Sequence, residues 1–277
     1  MRITERELQR FVRRLRQEEK SGATVEKYGR EAARFARWLG GREADKDLAL
    51  AYKAVLVQER APAGANGAVA ALNCLFAFLG LGECRLKAVK VQRPAFRDEA
   101  RELTRAEYQR LLDAAKERNN QRLLLVMETI CATGIRVSEL RFFTLEAVRR
   151  GRVEVTNKGK TRTVFLPGKL QKILIKYAKE QKIAAGTIFI TRGGKPLDRS
   201  NIWHDMKALC KAANVEESKV FPHNLRHLFA RTYYSMEKDI VRLADILGHS
   251  SVDTTRIYTM ESGVTHRRQL EKMRLVI

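Results

Sequence analysis

The stretch Leu247–Tyr258 reads Leu-Gly-His-Ser-Ser-Val-Asp-Thr-Thr-Arg-Ile-Tyr and places an imidazole and a phenol a short distance apart on the chain. Further upstream, His223 and Arg226 lie three positions apart on a predicted helix, so their side chains emerge on one face. Pro222 is typical of a helix start, where free backbone amides offer a place for a phosphate. Two imidazoles, a guanidinium and a phenol can together bring about attack on a phosphodiester without a metal ion, with the phenol as the attacking group.

The predicted loops would present this histidine and this tyrosine to a substrate. Gly248 suits the left-handed position that ends a helix, which leaves His249 at a loop tip. Tyr258 ends a short predicted helix, Val252–Tyr258, and the glycine-containing stretch after it indicates a mobile position. For either residue alone, a solvated loop histidine or a half-buried tyrosine is the ordinary interpretation.

Two earlier segments add further basic groups. Arg136 follows a predicted turn, and Glu139 lies in the first turns of the helix expected after it. Alternating residues at Arg152–Thr156 and Arg162–Leu166 flank a turn at residues 157–160, which predicts a β-hairpin with a lysine at its tip. Surface arginines and charged turns are common, so neither segment is decisive in isolation.

Four local motifs occur in one order along the chain. They are Ala-Thr-Gly-Ile-Arg-Val-Ser-Glu-Leu from residue 132, Asn-Lys-Gly-Lys-Thr-Arg-Thr-Val from residue 157, His-Asn-Leu-Arg-His from residue 223 and the stretch Leu247–Thr259. Together they resemble the catalytic motifs of the tyrosine recombinases, the lambda-integrase-like or Xer-like phage integrases, over roughly residues 100–260. The resemblance implies six active-site residues: Arg136, Lys158, His223, Arg226, His249 and Tyr258.

The resemblance also implies supporting residues and a reaction. Glu139 would orient the basic groups, and Lys160 is the alternative to Lys158, which we prefer because it directly precedes the turn glycine. Tyr258 would attack DNA to give a 3′-phosphotyrosine and a free 5′-hydroxyl, with no metal, ATP or other cofactor. A recombinase or mobile-element integrase of this family would act as four protomers through a Holliday junction. The tail from about residue 264 would dock on a neighbouring protomer or pack on its own domain.

Other functions share some of these residues. A type IB topoisomerase-like enzyme uses a similar set and acts alone, and a non-catalytic DNA-binding protein could keep the same scaffold. The complete set of candidate residues argues against the second, and the tyrosine-containing motif in a short chain argues against the first. A two-metal nuclease is disfavoured, because the nearby carboxylates form no recognisable metal-binding pattern. These carboxylates are Glu237, Asp239, Asp245 and Asp253.

The charge of the chain indicates a polyanionic partner, which we take to be double-stranded DNA. The 277 residues include 54 Lys and Arg against 32 Asp and Glu, a formal net charge of +22. Both parts of the chain are basic, since residues 1–97 contain 20 Lys and Arg against 11 Asp and Glu. Ribosomal and chromatin-coating proteins carry comparable charge, but they usually add low-complexity basic tails, and this sequence has none.

Composition also indicates the compartment. No apolar run approaches the length of a membrane span, and the N-terminus lacks the apolar core of a signal peptide. The four cysteines lack metal-ligand spacing, which favours reduced thiols. They are Cys74, Cys84, Cys131 and Cys210. We therefore expect a cytoplasmic, nucleoid-associated protein.

The periodicity of apolar residues predicts a mainly α-helical protein with a small antiparallel β-sheet. Residues 1–82 should form a four-helix bundle, similar to the family's core-binding (SAM-like) domain in size and helical character. Residues 83–101 are expected to be a basic linker, and residues 102–277 a mixed α+β catalytic domain with a further short strand at Thr187–Thr191. DNA contacts are expected from basic side chains of the linker and hairpin: Lys87, Lys90, Arg93, Arg97 and Arg162.

Overall fold

The computed structural model describes residues 1–91, 99–157, 159–191, 193–260, 263–273 and 275. The chain divides into two compact units, Met1–Arg93 and Pro94–Ile277, each with its own hydrophobic core. The prediction of a mainly helical protein with a small antiparallel sheet is confirmed.

The first unit is a bundle of four helices. Aromatic rings fill its centre, where Phe35 lies edge-on to Phe76 with ring centroids 5.6 Å apart and contacts Tyr52 at 5.1 Å. Thr4 caps the first helix in a reciprocal arrangement with Glu7, as the Thr-x-x-Glu spacing predicts. The helices are α1 (Glu5–Gln17), α2 (Gly22–Leu39), α3 (Lys46–Glu59) and α4 (Pro62–Leu79).

Local sequence signals explain where two of these helices begin. Pro62 is the first residue of α4. Proline is favoured at this position because its missing N–H would have no partner within the helix. Helix α2 begins at Gly22 because the Ser21 side chain accepts the capping hydrogen bond from the Thr24 backbone N–H.

The stretch after α4 is held against that helix by two asparagines. Asn73 accepts a hydrogen bond from the Leu86 backbone N–H at 2.8 Å and donates to its carbonyl oxygen at 2.9 Å. Asn66, two turns earlier, makes the same pair of bonds with Val89 at 2.7 and 3.0 Å. Leu86 is buried in the core of the first unit, although it lies in the stretch predicted as linker. Lys87 is exposed beside it.

Helix α4 is long and apolar enough to cross a membrane by length and composition, with a mean hydropathy of 1.4 over 18 residues. The expectation that no apolar run approaches a membrane span was therefore too strict. Because Leu72, Leu75 and Phe76 are fully buried in the bundle, the apolar character of this helix is that of a core helix. No other described helix meets the same test.

The second unit surrounds a larger core with helices and one β-hairpin. The hairpin is antiparallel and pairs Val153 with Val164 and Val155 with Arg162. Its strands are β1 (Arg152–Asn157) and β2 (Lys160–Phe165). The helices are α5 (Arg105–Glu117), α6 (Gln121–Thr133), α7 (Leu145–Arg149), α8 (Gly168–Glu180), α9 (Arg199–Ala213), α10 (Pro222–Glu237), α11 (Ile240–Leu247), α12 (Val252–Thr255) and α13 (Gly263–Met273).

The strand predicted at Thr187–Thr191 is wrong. This segment forms only isolated bridges, from Thr187 to Thr144 and from Ile190 to Pro196. Ile188 and Phe189 are both buried, so successive side chains enter the core instead of alternating between two faces of a sheet.

A tight approach between α6 and α10 determines where the loop after α6 lies. Helix α6 is capped at its C-terminal end by Gly134, whose φ of +66° is a conformation that favours glycine. A Cβ atom at this position would lie 2.3 Å from Cδ1 of Phe229 on α10. The close packing brings the backbone at Gly134, and the residues that follow it, against α10.

Candidate active site

Arg226 lies at the centre of the candidate site and is only 1% exposed. It extends from α10 and donates from Nη1 to the Gly134 carbonyl oxygen at 2.6 Å and from Nη2 to the Leu247 carbonyl oxygen at 2.7 Å. Its buried Nε has no hydrogen-bond partner among the described residues. Burial and the nearby Arg136 lower the pKa of Arg226 to about 10, which still leaves the guanidinium positively charged at neutral pH. Arg226 therefore joins two loops around a buried positive charge.

His249 is held as a neutral ring with a defined tautomer. Nη2 of Arg226 lies 3.0 Å from its Nε2, and Oγ1 of the buried Thr255 lies 2.8 Å from its Nδ1. Because arginine can only donate, Nε2 is the acceptor, and the ring proton is therefore on Nδ1, directed at the threonine. Burial and Arg226 lower the pKa of His249 to about 4.

A buried carboxylate connects two further arginines. Glu139 is 1% exposed and accepts hydrogen bonds from both terminal nitrogens of Arg162 at 2.8 and 2.9 Å. Nη1 of Arg136 donates to the same carboxylate at 3.1 Å, and its backbone N–H does so at 2.8 Å. Burial alone would raise the pKa of Glu139, but the bonds from Arg162 and Arg136 outweigh it and lower that pKa. Glu139 is therefore a carboxylate that holds Arg136 in place.

Tyr258 lies in the 3₁₀ turn that follows α12 and is 4% exposed. Its ring packs between two imidazoles, near-parallel to His249 at a centroid distance of 6.1 Å and edge-on to His227 at 4.9 Å. Leu243 and Leu247 complete the apolar surroundings. The structure thus brings the predicted nucleophile next to His249 and within electrostatic range of Arg226, in a largely buried position.

His223 lies at the exposed edge of the same group of rings. It contacts His227 edge-on at 4.7 Å. Partial desolvation and the positive charges of Arg226 and Arg136 lower the pKa of His223. Burial and the neighbouring His223 lower the pKa of His227 to about 3. Both rings are therefore neutral at pH 7, which suits His223 for accepting a proton.

The hairpin reaches an open cleft of about 430 Å³ next to these groups. Its lining residues include Lys160, Arg136, Arg162 and His249, with Asp245 as an acidic member. Lys160 is exposed. Lys158, the preferred lysine, lies outside the described residues. The cleft offers positive charge and hydrogen-bond donors of the kind that bind a phosphate.

The residues expected to bind DNA have different positions. Lys87 and Lys90 are exposed on the first unit, and Arg93 and Arg97 lie outside the described residues. Arg162, also predicted to bind DNA, has its guanidinium bonded to Glu139 and to the Ile246 carbonyl oxygen inside the protein, and its side chain lines the cleft. Its contact with DNA stays a prediction.

Two residues in or next to the group of rings around Tyr258 were not predicted. His227 follows His223 by four positions, so the helical repeat alone could have placed the two rings on one face of α10. Thr255 gives no comparable signal, because its contact with His249 depends on the fold of the loop between them. In the described part of the chain, no three His, Cys, Asp or Glu residues are grouped as a metal site would require.

Comparisons with known proteins show the family of the chain. The model of the phage integrase family matches residues 101–263. The tyrosine recombinase XerD of Xanthomonas axonopodis pv. citri is 31% identical over 281 aligned positions, which cover 90% of this chain and 89% of that protein.

Two solved structures share the fold. The crystal structure of a lambda integrase dimer bound to a COC′ core site is 20% identical with a TM-score of 0.76, and the match covers 94% of this chain and 96% of that one. A lambda integrase tetramer bound to a Holliday junction is 21% identical with a TM-score of 0.72, and the match covers 91% of this chain and 76% of that one.

Proposed function

The chain belongs to the phage integrase family and is a tyrosine-type site-specific DNA recombinase, and from that premise we propose that Tyr258 is its nucleophile. The observation that carries this proposal is the packing of the Tyr258 ring against His249, whose own ring is bonded to the buried Arg226. A phenol packed against a neutral imidazole that a buried positive charge holds in place has neighbours suited to covalent attack on a phosphate.

The chemical step transfers a phosphoryl group between two oxygen atoms. The Tyr258 oxygen bonds to phosphorus, the bond from phosphorus to the 5′-oxygen breaks, and the DNA is left with a 3′-phosphotyrosine. His223 accepts the phenol proton, and a hairpin lysine, Lys158 or Lys160, donates a proton to the departing 5′-oxygen. Because the covalent link retains the energy of the phosphodiester, a second 5′-hydroxyl can reverse the step and rejoin the strand without ATP.

The arginines stabilise the transition state electrostatically. Attack adds negative charge to the phosphate oxygens. The guanidinium groups of Arg136 and Arg226 supply positive charge that is already in place before the reaction begins. Arg226 is held by two carbonyl oxygens and Arg136 by Glu139, so little reorganisation is needed when the phosphate arrives. Because Tyr258 is 4% exposed, its attack requires a local shift of the turn that carries it.

The partner we propose is double-stranded DNA carrying a specific site, bound in the cytoplasm as part of the nucleoid. The net charge of +22 supports a polyanionic partner. The structurally similar lambda integrases were solved as a dimer on a core site and as a tetramer on a Holliday junction. We propose the same DNA-bound tetramer here, with α13 docking on a neighbouring protomer. Its exposed apolar residues support this role, with Leu270 52% and Met273 55% exposed.

A nicked suicide duplex tests the nucleophile. Sequencing DNA that the purified protein retains from a random library supplies the site, and a nick next to the cleavage position lets the short product diffuse away and traps the adduct. The wild-type protein should form a covalent complex on a denaturing gel. Tyr258→Phe should form none while binding the duplex with unchanged affinity.

A matched control and a competing outcome sharpen this test. Tyr233→Phe removes another hydroxyl beside the same apolar cluster and should leave the adduct yield unchanged. An adduct that persists in Tyr258→Phe would show that the nucleophile has been misassigned. Relaxation of a supercoiled plasmid without the site, by a monomer, would instead favour the topoisomerase-like function.

A further inference from the structure

The guanidinium of Arg162 is hydrogen-bonded to groups inside the protein. It extends from β2 and donates to both oxygens of Glu139, at 2.8 and 2.9 Å, in a two-pronged pair. Its Nε donates to the Ile246 carbonyl oxygen at 3.0 Å, near the end of α11. The side chain is 15% exposed. One guanidinium therefore bonds two segments that are far from β2 in sequence.

The loop after α11 lies directly against this guanidinium. Gly248 has a φ of +64°, and a Cβ atom there would lie 2.9 Å from Cδ and 3.1 Å from Nη1 of Arg162. Any larger residue would displace either the loop or the arginine. The carbonyl oxygen of Gly248 also accepts a hydrogen bond from Arg136 at 3.3 Å, so the same loop contacts both arginines.

Each of the three segments that meet at Arg162 carries one proposed catalytic group. The Glu139 segment holds Arg136, the Gly248 loop continues into His249, and β2 begins with the candidate Lys160, which lines the cleft. We propose that Arg162 is a positioning residue of the active site: it fixes the hairpin against Arg136 and His249, and thereby sets where the lysine meets the departing 5′-oxygen. This role rests on the proposed function.

Arginine is required for this position because of its shape. Lysine would keep the charge but has no planar pair of nitrogens to match the two oxygens of Glu139 while a third donor reaches Ile246. Arg162→Lys should therefore fold and keep the net charge of the site, yet hold the hairpin less firmly. Arg152→Ala is the matched control, because it removes an exposed arginine from the neighbouring strand of the same hairpin.

The first experiment needs no DNA. Arg162→Lys and Arg162→Ala lose bonds that hold β2 and residues 246–249 together, so both segments should open more often. In the full chain, hydrogen exchange of their backbone amides should become at least about tenfold faster, which corresponds to a small loss of local stability. Amides of the first unit should be unchanged, and Arg152→Ala should match the wild type. Unchanged exchange at both segments in both Arg162 variants would overturn the proposal.

The second experiment asks whether the hairpin lysine is the group affected. A suicide duplex with sulfur in place of the bridging 5′-oxygen releases a thiolate, which leaves without being protonated. Cleavage of the oxygen duplex by Arg162→Lys should fall by about 10²-fold, the usual effect of a displaced reacting group. Cleavage of the sulfur duplex should fall less than about tenfold, since its leaving group needs no proton. Arg152→Ala should leave the ratio of the two rates unchanged.

The outcomes separate this proposal from the proposed function. Equal losses on the oxygen and sulfur duplexes would overturn the positioning of the lysine by Arg162, because the defect would then lie elsewhere in the site. If the wild-type protein forms no adduct with either duplex, the proposed function fails. The exchange experiment would still decide in that case whether Arg162 fixes the hairpin.

Discussion

Histidine rings in this site are kept neutral by the protein around them. Those of His227 and His249 flank Tyr258, and burial is the largest cause of the lowered pKa of each, to about 3 and about 4. Both values lie below the value of about 6.5 for a histidine in an unfolded chain. Between these pH values the unfolded chain binds more protons than the folded one, so folding is progressively weakened as the pH falls below about 6.5.

This difference predicts the pH dependence of stability. From pH 7.0 to 5.5, the free energy of unfolding should fall by about 1 kcal/mol for each of the two histidines, after allowance for their partial exposure. Urea unfolding followed by circular dichroism at the two pH values measures it. His227→Phe keeps a ring beside Tyr258 and should remove about 1 kcal/mol of the pH effect, leaving the contributions of His249 and His223. His204→Phe changes an exposed histidine on α9 and should not.

An equal pH effect in His227→Phe and the wild type would contradict this account of His227. The pKa values of Glu139 and Glu107 are also lowered, which favours the charged carboxylate, whereas a lowered histidine pKa favours the neutral ring. Both kinds of group weaken folding as the pH falls, but the carboxylates do so at lower pH. Their stabilising effect is lost as the pH falls through the acid range below their ordinary value of 4.5. Comparing pH 7.0 with 5.5 therefore leaves the effect of these two carboxylates out of the measurement.

At the scale of the elements, α4 keeps part of the predicted linker on the first unit. Asn73 alone supplies both a donor and an acceptor to the Leu86 backbone. Asn73→Ala should lower the free energy of unfolding by about 1–3 kcal/mol, because a partly buried N–H and C=O lose their partners. Faster exchange of the Leu86 amide would locate the defect.

A matched variant separates this contact from a general loss of helix stability. Asn66→Ala should speed exchange at Val89 more than at Leu86, because each asparagine is bonded to a different residue. Gln58→Ala, an exposed change on α3, should affect neither amide. If the two asparagine variants gave identical exchange patterns, the two contacts would form one cooperative unit.

Local rules identified most elements, and they failed where distant contacts decide the structure. Thr4 and Thr104 each cap a helix with a glutamate three residues on, and the hairpin lies within a residue or two of its predicted position. Thr187–Thr191 was misread because its surroundings bury consecutive side chains. A periodic pattern reports the neighbours of a residue along the chain, and it contains no information about elements that pack against both of its sides.

In the candidate site, too, local sequence predicted some features, and distant contacts decided the others. Sequence motifs identified Arg136, Arg226, His249 and Tyr258, and the structure brings them together around α10. The burial of Arg226 and the inward use of Arg162 could not be read from the sequence, because charged residues are expected at the surface. The partners of both arginines are separated from them by tens of residues or more.

At the scale of the whole molecule, positive charge is distributed over both units. Residues 1–97 contain 20 Lys and Arg against 11 Asp and Glu, and the remainder of the chain is also basic. If Lys87 and Lys90 each neutralise one DNA phosphate, they each release a condensed counterion on binding. The slope of log K against log salt should then become shallower by about 0.9 for each lysine replaced by alanine.

Binding of the purified full chain to a fluorescent duplex of its selected site, titrated from low to moderate salt, measures this slope. Lys87→Ala and Lys90→Ala should each reduce it, and the double variant should reduce it by the sum. Lys176→Ala is the matched control, because this exposed lysine lies 3.8 Å from Glu180 on α8 and its loss should leave the slope unchanged. Equal slopes for the wild type and the double variant would mean that this segment does not contact the phosphates. The affinity that remained would then have to come from the cleft at Arg136 and from other basic side chains.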